Sequence, residues 1–213
     1  MATQLSTIVA DFADCIKQAD ARHPQAISVR SKEPYTPGIG PHSEAATVQL
    51  VCNEMQLAHP EHYAGRIATN VPYPRAPRQK CDLCIGTPNG WEWAIEIKML
   101  RILGDNGKPN DNILMHILSP YPAHRSALTD CEKLLASFAR ASRAILIYGY
   151  DHDDWPLCIA IEAFEALAAT RFGLGPRESA AFDGLVHPVH TRGGVYAWEL
   201  QVIGPPHRLP LRE

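Results

Sequence analysis

Residues 80–100, KCDLCIGTPNGWEWAIEIKML, constrain the fold more than any other stretch, because two strand-like runs meet at Pro88-Asn89-Gly90. Such a pattern predicts an antiparallel hairpin. In the second run Trp91, Trp93, Ile95, Ile97 and Met99 share one face of a strand, while Glu92, Ala94, Glu96, Lys98 and Leu100 share the other. Glu96 and Lys98 then project side by side. A three-residue loop, with Pro opening a type I turn and Gly closing it in the left-handed region, pairs Thr87 with Trp91 and hence Asp82 with Glu96. A two-residue Asn-Gly loop instead opposes Asp82 to Ile97 and separates the acids. Turn type decides which, since a one-residue slip moves every side chain to the other face.

The rest of the chain supplies helices to cover such a sheet. Leu5, Ile8, Val9, Phe12 and Ile16 have helical spacing, so residues 3–21 read as an amphipathic helix. The Pro- and Gly-rich residues 31–41 end that pattern, and Ser43 is placed to cap a second helix reaching about residue 59. Strands are expected at 66–73, 80–86 and 91–100. The polar, turn-prone residues 103–112 open a loop continuing to 125, a length that compact domains reserve for functional or mobile segments. A helix at 128–138 and the unbroken apolar run AILIYGY at 144–150 follow, the latter reading as a strand buried on both faces. Another helix starts at 157 and is stopped by Gly173 and Pro176. Residues 184–203 read as a hairpin turning at Arg192-Gly193-Gly194. With 213 residues, 46% of them hydrophobic and 20% charged, there is material for one sizeable core, and a single α/β domain over 1–213 is expected.

Net charge of −3 gives no global positive field, so any nucleic-acid contact must rest on a local basic patch. No run of about 18 apolar residues occurs and the first residues lack a basic segment leading into an apolar one, which points to a cytoplasmic protein with no membrane partner. Six cysteines are scattered through apolar segments as buried thiols. Cys81-x-x-Cys84 lies on a strand, where residues three apart face opposite ways, and no second pair completes a zinc or iron–sulfur site. His187-x-x-His190 is likewise placed on a strand with diverging rings, and Asp151-His152-Asp153-Asp154 reads as a solvated turn. No phosphate-cradling glycine loop or nucleophile elbow is present, against an NTPase or a serine hydrolase.

Two carboxylates opposed across a strand pair repel unless a cation lies between them. Hard divalent ions take such oxygen ligands, and a neighbouring lysine can orient water or neutralise charge growing on a phosphate. Such equipment suits phosphodiester hydrolysis. The order of helix, strand, strand with Asp82, strand with Glu96-Ile97-Lys98, helix and buried strand resembles the αβββαβ core of the PD-(D/E)XK nuclease superfamily, the restriction-endonuclease-like fold. The resemblance covers about residues 43–150, leaving an extra N-terminal helix and a C-terminal helix plus hairpin (157–203) outside. Cys81 stands where the motif has proline.

The resemblance implies a mixed central sheet and a Mg²⁺- or Mn²⁺-dependent endonuclease, DNA first, with Asp82, Glu96 and the Ile97 carbonyl on the metal and Lys98 serving the attacking water. Many members add a glutamate from the first helix of the core. Glu44, on the stripe of Val48, Val51 and Met55, is the first candidate and Glu54 the second. Arg66, Arg75, Arg78 and Lys80 precede the acids without an intervening carboxylate beyond residue 62, and Arg101 and Lys108 follow them; these are the candidates for phosphate contact. A homodimer is among the assemblies this reading allows. The alternative is a non-catalytic nucleic-acid-binding or assembly module on the same fold, with a thiol–metal protein using Cys81 and Cys84 behind it.

Overall fold

In the computed structural model, which describes residues 3–202, the elements run α1 (Leu5–Ala21), α2 (Glu44–Ala58), α3 (Pro60–Tyr63), β1 (Ile67–Tyr73), β2 (Ala76–Thr87), β3 (Gly90–Leu100), α4 (Met115–Leu118), α5 (Ala127–Ser137), β4 (Ser142–Tyr150), α6 (Leu157–Ala169), β5 (Gly173–Leu174), β6 (Glu178–Phe182) and β7 (Gly193–Gln201). The strands form one open, mixed, seven-stranded sheet in the order β1-β2-β3-β4-β7-β5, with β6 also on β7. β3 and β4 are parallel, joined by the crossover containing α5, and every other pair is antiparallel.

The unbroken apolar run becomes β4 at the centre of this sheet, where both faces need covering. Its Ala144, Leu146, Tyr148 and Tyr150 join Ile8, Phe12 and Ile16 of α1 and Val48, Val51 and Met55 of α2 in one core layer. Ile145 and Ile147 join Leu128, Cys131 and Leu134 of α5 and Ile161 and Phe164 of α6 in the other. Side chains of the dominant size contribute roughly 1.5–3 kcal/mol each when fully buried. Serines start two of the helices: Ser43 Oγ accepts from the Ala46 N–H at 3.3 Å, and Ser126 Oγ from the Thr129 N–H at 3.3 Å. Asp151 accepts the Leu157 N–H at 2.9 Å, so the acidic turn after β4 holds the start of α6.

Four expectations need correction. The β2–β3 loop has two residues, Pro88 and Asn89, because Thr87 pairs with Gly90 and Gly86 with Trp91; a bulge then brings Ile85 opposite Trp93. The bulge restores the register expected of a three-residue loop, and it turns Trp91 away from Trp93 to pack with the layer containing Ala94 and Cys84. Arg192-Gly193-Gly194 is no turn. Gly193 begins β7 and pairs with Tyr150, in a site where a Cβ would fall 1.9 Å from the Gly149 carbonyl oxygen. The hairpin runs from β6 through residues 183–192 to β7; Ile203 lies outside the described residues.

His187 and His190 lie on that connection and do not diverge. Their rings stack at 4.9 Å, both fully buried, with His190 Nε2 3.1 Å from Asp105. Cys81 and Cys84 also depart from a flat strand: both are buried in the same core layer. Opposite Asp82, Asn70 of β1 sits at φ 57, so the ladder is not regular there.

Candidate active site

The site forms where β2 leaves β3. Their ladder ends at Leu83↔Ile95, and beyond it the edge of β3 is finished by side chains. Asp82 Oδ2 accepts the Ile97 N–H at 2.8 Å, and Glu44 Oε2, from the first residue of α2, accepts the Met99 N–H at 2.6 Å. Both bonds are charge-assisted, and Glu44 gains further from the positive end of its helix. Glu96 and Lys98, on the same face of β3, are 3% and 9% exposed. Lys98 Nζ lies 2.7 Å from Asp130 Oδ2, 3.7 Å from Glu44 Oε1 and 3.4 Å from the Ile97 carbonyl oxygen. Lys133 closes on the other side of Asp130. These groups line one cleft of about 830 Å³, together with Arg78, Lys80, His116, His124 and Arg125.

The electrostatics are those of acids crowded out of water. Burial, then the charges of Asp82 and Asp130, push the Glu96 carboxyl up to about 11, so it is neutral at pH 7. Tyr73 donates its hydroxyl hydrogen to Glu96 Oε1, and its own ionisation is pushed up by burial and by Glu96. Burial also raises Glu44, with Lys98 and the Met99 N–H opposing. Burial works against the Lys98 ammonium, but Glu44 and Asp130 outweigh it and hold the amine above its ordinary range. Lys98 is therefore a fixed cation and not a base.

The sequence candidates divide cleanly. Asp82, Glu96, Lys98 and Glu44 come together in the cleft, with the Ile97 carbonyl beside Lys98. Glu54 does not join them, because Arg22 Nη2 holds it at 2.7 Å. Of the basic candidates Arg78 and Lys80 line the cleft. Arg66 is bound to Glu92 at 2.5 Å, and Arg101 to the Gly40 carbonyl at 2.7 Å and to Asp105 at 3.7 Å. Arg75 and Lys108 are exposed away from it. Asp130, Tyr73, Lys133, His116, His124 and Arg125 are additions that tertiary structure alone brings in. Asp130 did leave a trace: it shares a helical stripe with Ala127 and Leu134, an acid on an otherwise buried face.

No protein family, curated protein or solved structure matches the chain. Among the described residues no three His, Cys, Asp or Glu side chains are arranged to hold an ion as they stand. The donor set nonetheless fits a hard divalent cation: Asp82 and Glu96 offer opposed carboxyls, the Ile97 carbonyl adds a third oxygen, and the Glu96 proton occupies the role a cation would take. Five carboxyl groups and five lysines or arginines line the cleft. A bound dication would tip that balance toward an anionic substrate.

Proposed function

We propose that the protein is a divalent-metal-dependent nuclease that hydrolyses phosphodiester bonds, DNA first, on a restriction-endonuclease-like core. The observation that carries this is the convergence of Asp82, Glu96 and Lys98 at one cleft, with Glu44 delivered from α2. The order α2-β1-β2-β3-α5-β4, with β3 parallel to β4, supports the same reading.

Asp82, Glu96 and the Ile97 carbonyl would hold Mg²⁺ or Mn²⁺, which supplies charge to acidify water and to stabilise the departing oxygen. Lys98, kept cationic by Asp130 and Glu44, faces the non-bridging oxygens of the phosphate as its negative charge grows. Glu44 is the group beside Lys98 that takes the proton of the attacking water. Arg78 and Lys80, exposed on the cleft rim, neutralise flanking phosphates.

The test is incubation with plasmid DNA, single-stranded DNA and RNA, with Mn²⁺ and with EDTA, beside the Lys98→Ala variant. Metal-dependent cleavage lost in the variant is expected. Binding with no cleavage by the wild type would assign the non-catalytic module instead.

A further inference from the structure

Residues 119–126 form a wall of the cleft that the metal-and-lysine reading does not use. The segment is tied at its base, where Ser126 Oγ donates to the Ser119 carbonyl oxygen while capping α5. Between these anchors Pro122–His124 make a single 3₁₀ turn, closed by Arg125 at φ 48, ψ 45. A side-chain-bearing residue adopts that left-handed conformation at a cost, and it persists where the surroundings over-determine it. His124 and Arg125 both line the cleft with Asp82, Glu96 and Lys98. Arg125 has no carboxylate partner among the described ion pairs.

The imidazole of His124 is oriented by its own loop. Ser119 Oγ lies 2.6 Å from His124 Nδ1 and accepts the Tyr121 N–H at 3.2 Å. With two lone pairs, the same oxygen can accept both that N–H and the Nδ1–H of a protonated imidazole. An imidazolium that donates Nδ1–H to this oxygen keeps its second proton on Nε2. Nε2 has no protein partner among the described residues. The ring of Tyr121, edge-on at 5.7 Å, packs against the imidazole.

We propose that His124 is a catalytic residue, the general acid for the leaving group, with Arg125 binding the adjacent non-bridging oxygens; this rests on the nuclease reading. The water oxygen forms the new bond to phosphorus as the bond from phosphorus to the ester oxygen breaks. The electron pair of the broken bond stays on that ester oxygen, which takes the Nε2 proton of the His124 imidazolium and leaves a neutral imidazole whose Nδ1–H stays on Ser119 Oγ. The proton of the attacking water passes to Glu44, and solvent returns one proton from Glu44 to His124 to close the cycle. Ser119 is a positioning residue that holds Nδ1–H and so orients the ring.

The test compares two phosphodiesters under Mn²⁺: plasmid DNA, whose alkoxide leaving group needs a proton, and bis(p-nitrophenyl) phosphate, whose phenolate leaves without one. His124→Gln is expected to lower plasmid cleavage by roughly 10²–10⁴-fold, a loss far exceeding its loss on the nitrophenyl ester. Ser119→Ala should show the same leaving-group dependence more weakly, and His124→Asn serves if His124→Gln fails to fold. Equal losses on both substrates, or undiminished plasmid cleavage, overturn the general-acid role and leave the nuclease reading standing. Hydrolysis of neither substrate by the wild type overturns both.

Discussion

Glu96 and Lys98 are two residues apart on one strand, and both hold their protons more tightly than usual, Glu96 through burial and the charges of Asp82 and Asp130, Lys98 through Glu44 and Asp130. The folded protein holds the Glu96 proton up to about 11, whereas an unfolded chain releases it near 4.5. A folded value above the unfolded one means that this group's contribution is complete below 4.5 and is lost as pH rises toward about 11. Melting in EDTA should therefore show stability falling from pH 6 to pH 9, and Glu96→Gln, which keeps the position neutral, should flatten that slope. A slope that survives in Glu96→Gln would place the titrating group elsewhere. For Lys98, the side chain binds carboxylates and is not part of the proposed ligand set. Lys98→Ala is expected to cut cleavage by roughly 10²–10³-fold while calorimetry finds Mn²⁺ bound no more weakly. Undiminished cleavage would remove the lysine from the mechanism.

At the scale of elements, the β2–β3 hairpin sets the distance between the acids. Its loop of two residues would on its own misalign Asp82 and Glu96, and the bulge beside Gly86 corrects the slip. Gly86 sits at φ 124, and a Cβ there would lie 2.8 Å from both the Glu92 nitrogen and the Gly90 carbonyl oxygen. Gly86→Ala is thus expected to cost about 1–3 kcal/mol of stability, measured by urea denaturation, and to weaken Mn²⁺ binding although residue 86 touches no ligand. Full stability and unchanged affinity would show that the bulge is not what holds the register. The second helix is the other positioning element, since its Ser43 cap and first residue Glu44 deliver a carboxylate to the Met99 N–H.

For the whole molecule, metal and stability should be coupled through the cleft. An ion that binds only the folded form stabilises it by mass action, about 2.7 kcal/mol at 100 times Kd, or roughly 5–10 °C in Tm for a chain of this size. Asp82→Asn removes a charge while keeping an oxygen for the Ile97 N–H. The variant is expected to melt no lower than wild type in EDTA and to lose the Mn²⁺-induced shift. Equal shifts in the two proteins would mean that the ion binds elsewhere. The sheet itself is secured from both sides, as by Phe164 of α6 against Trp198 of β7 at 5.1 Å. Phe164→Ala should cost about 3–5 kcal/mol by denaturation without altering Mn²⁺ affinity.

The amino-acid sequence by itself determined the elements whose periodicity is long and uninterrupted: α1 and α2 with the Ser43 cap, the strands around residues 67–100, and β4 as a strand buried on both faces. Local spacing is enough there, because burial of one face or two dictates which residues alternate. It also determined that Glu96 and Lys98 share a face, and it singled out Glu44 as an acid on an apolar stripe. What only the tertiary structure decided are the features that depend on a second segment. The bulge that compensates the two-residue loop is one, since two errors of register cancel only when both strands are present. Gly193-Gly194 read as a turn because glycine permits one, yet the constraint there is the close approach of β4 and β6 to β7. Asp130 and Tyr73 reach Lys98 and Glu96 from a crossover helix and from β1, the strand beyond β2, 32 and 25 positions along the chain from Lys98. No local pattern records such a pairing, because burial and charge compensation are properties of the assembled core.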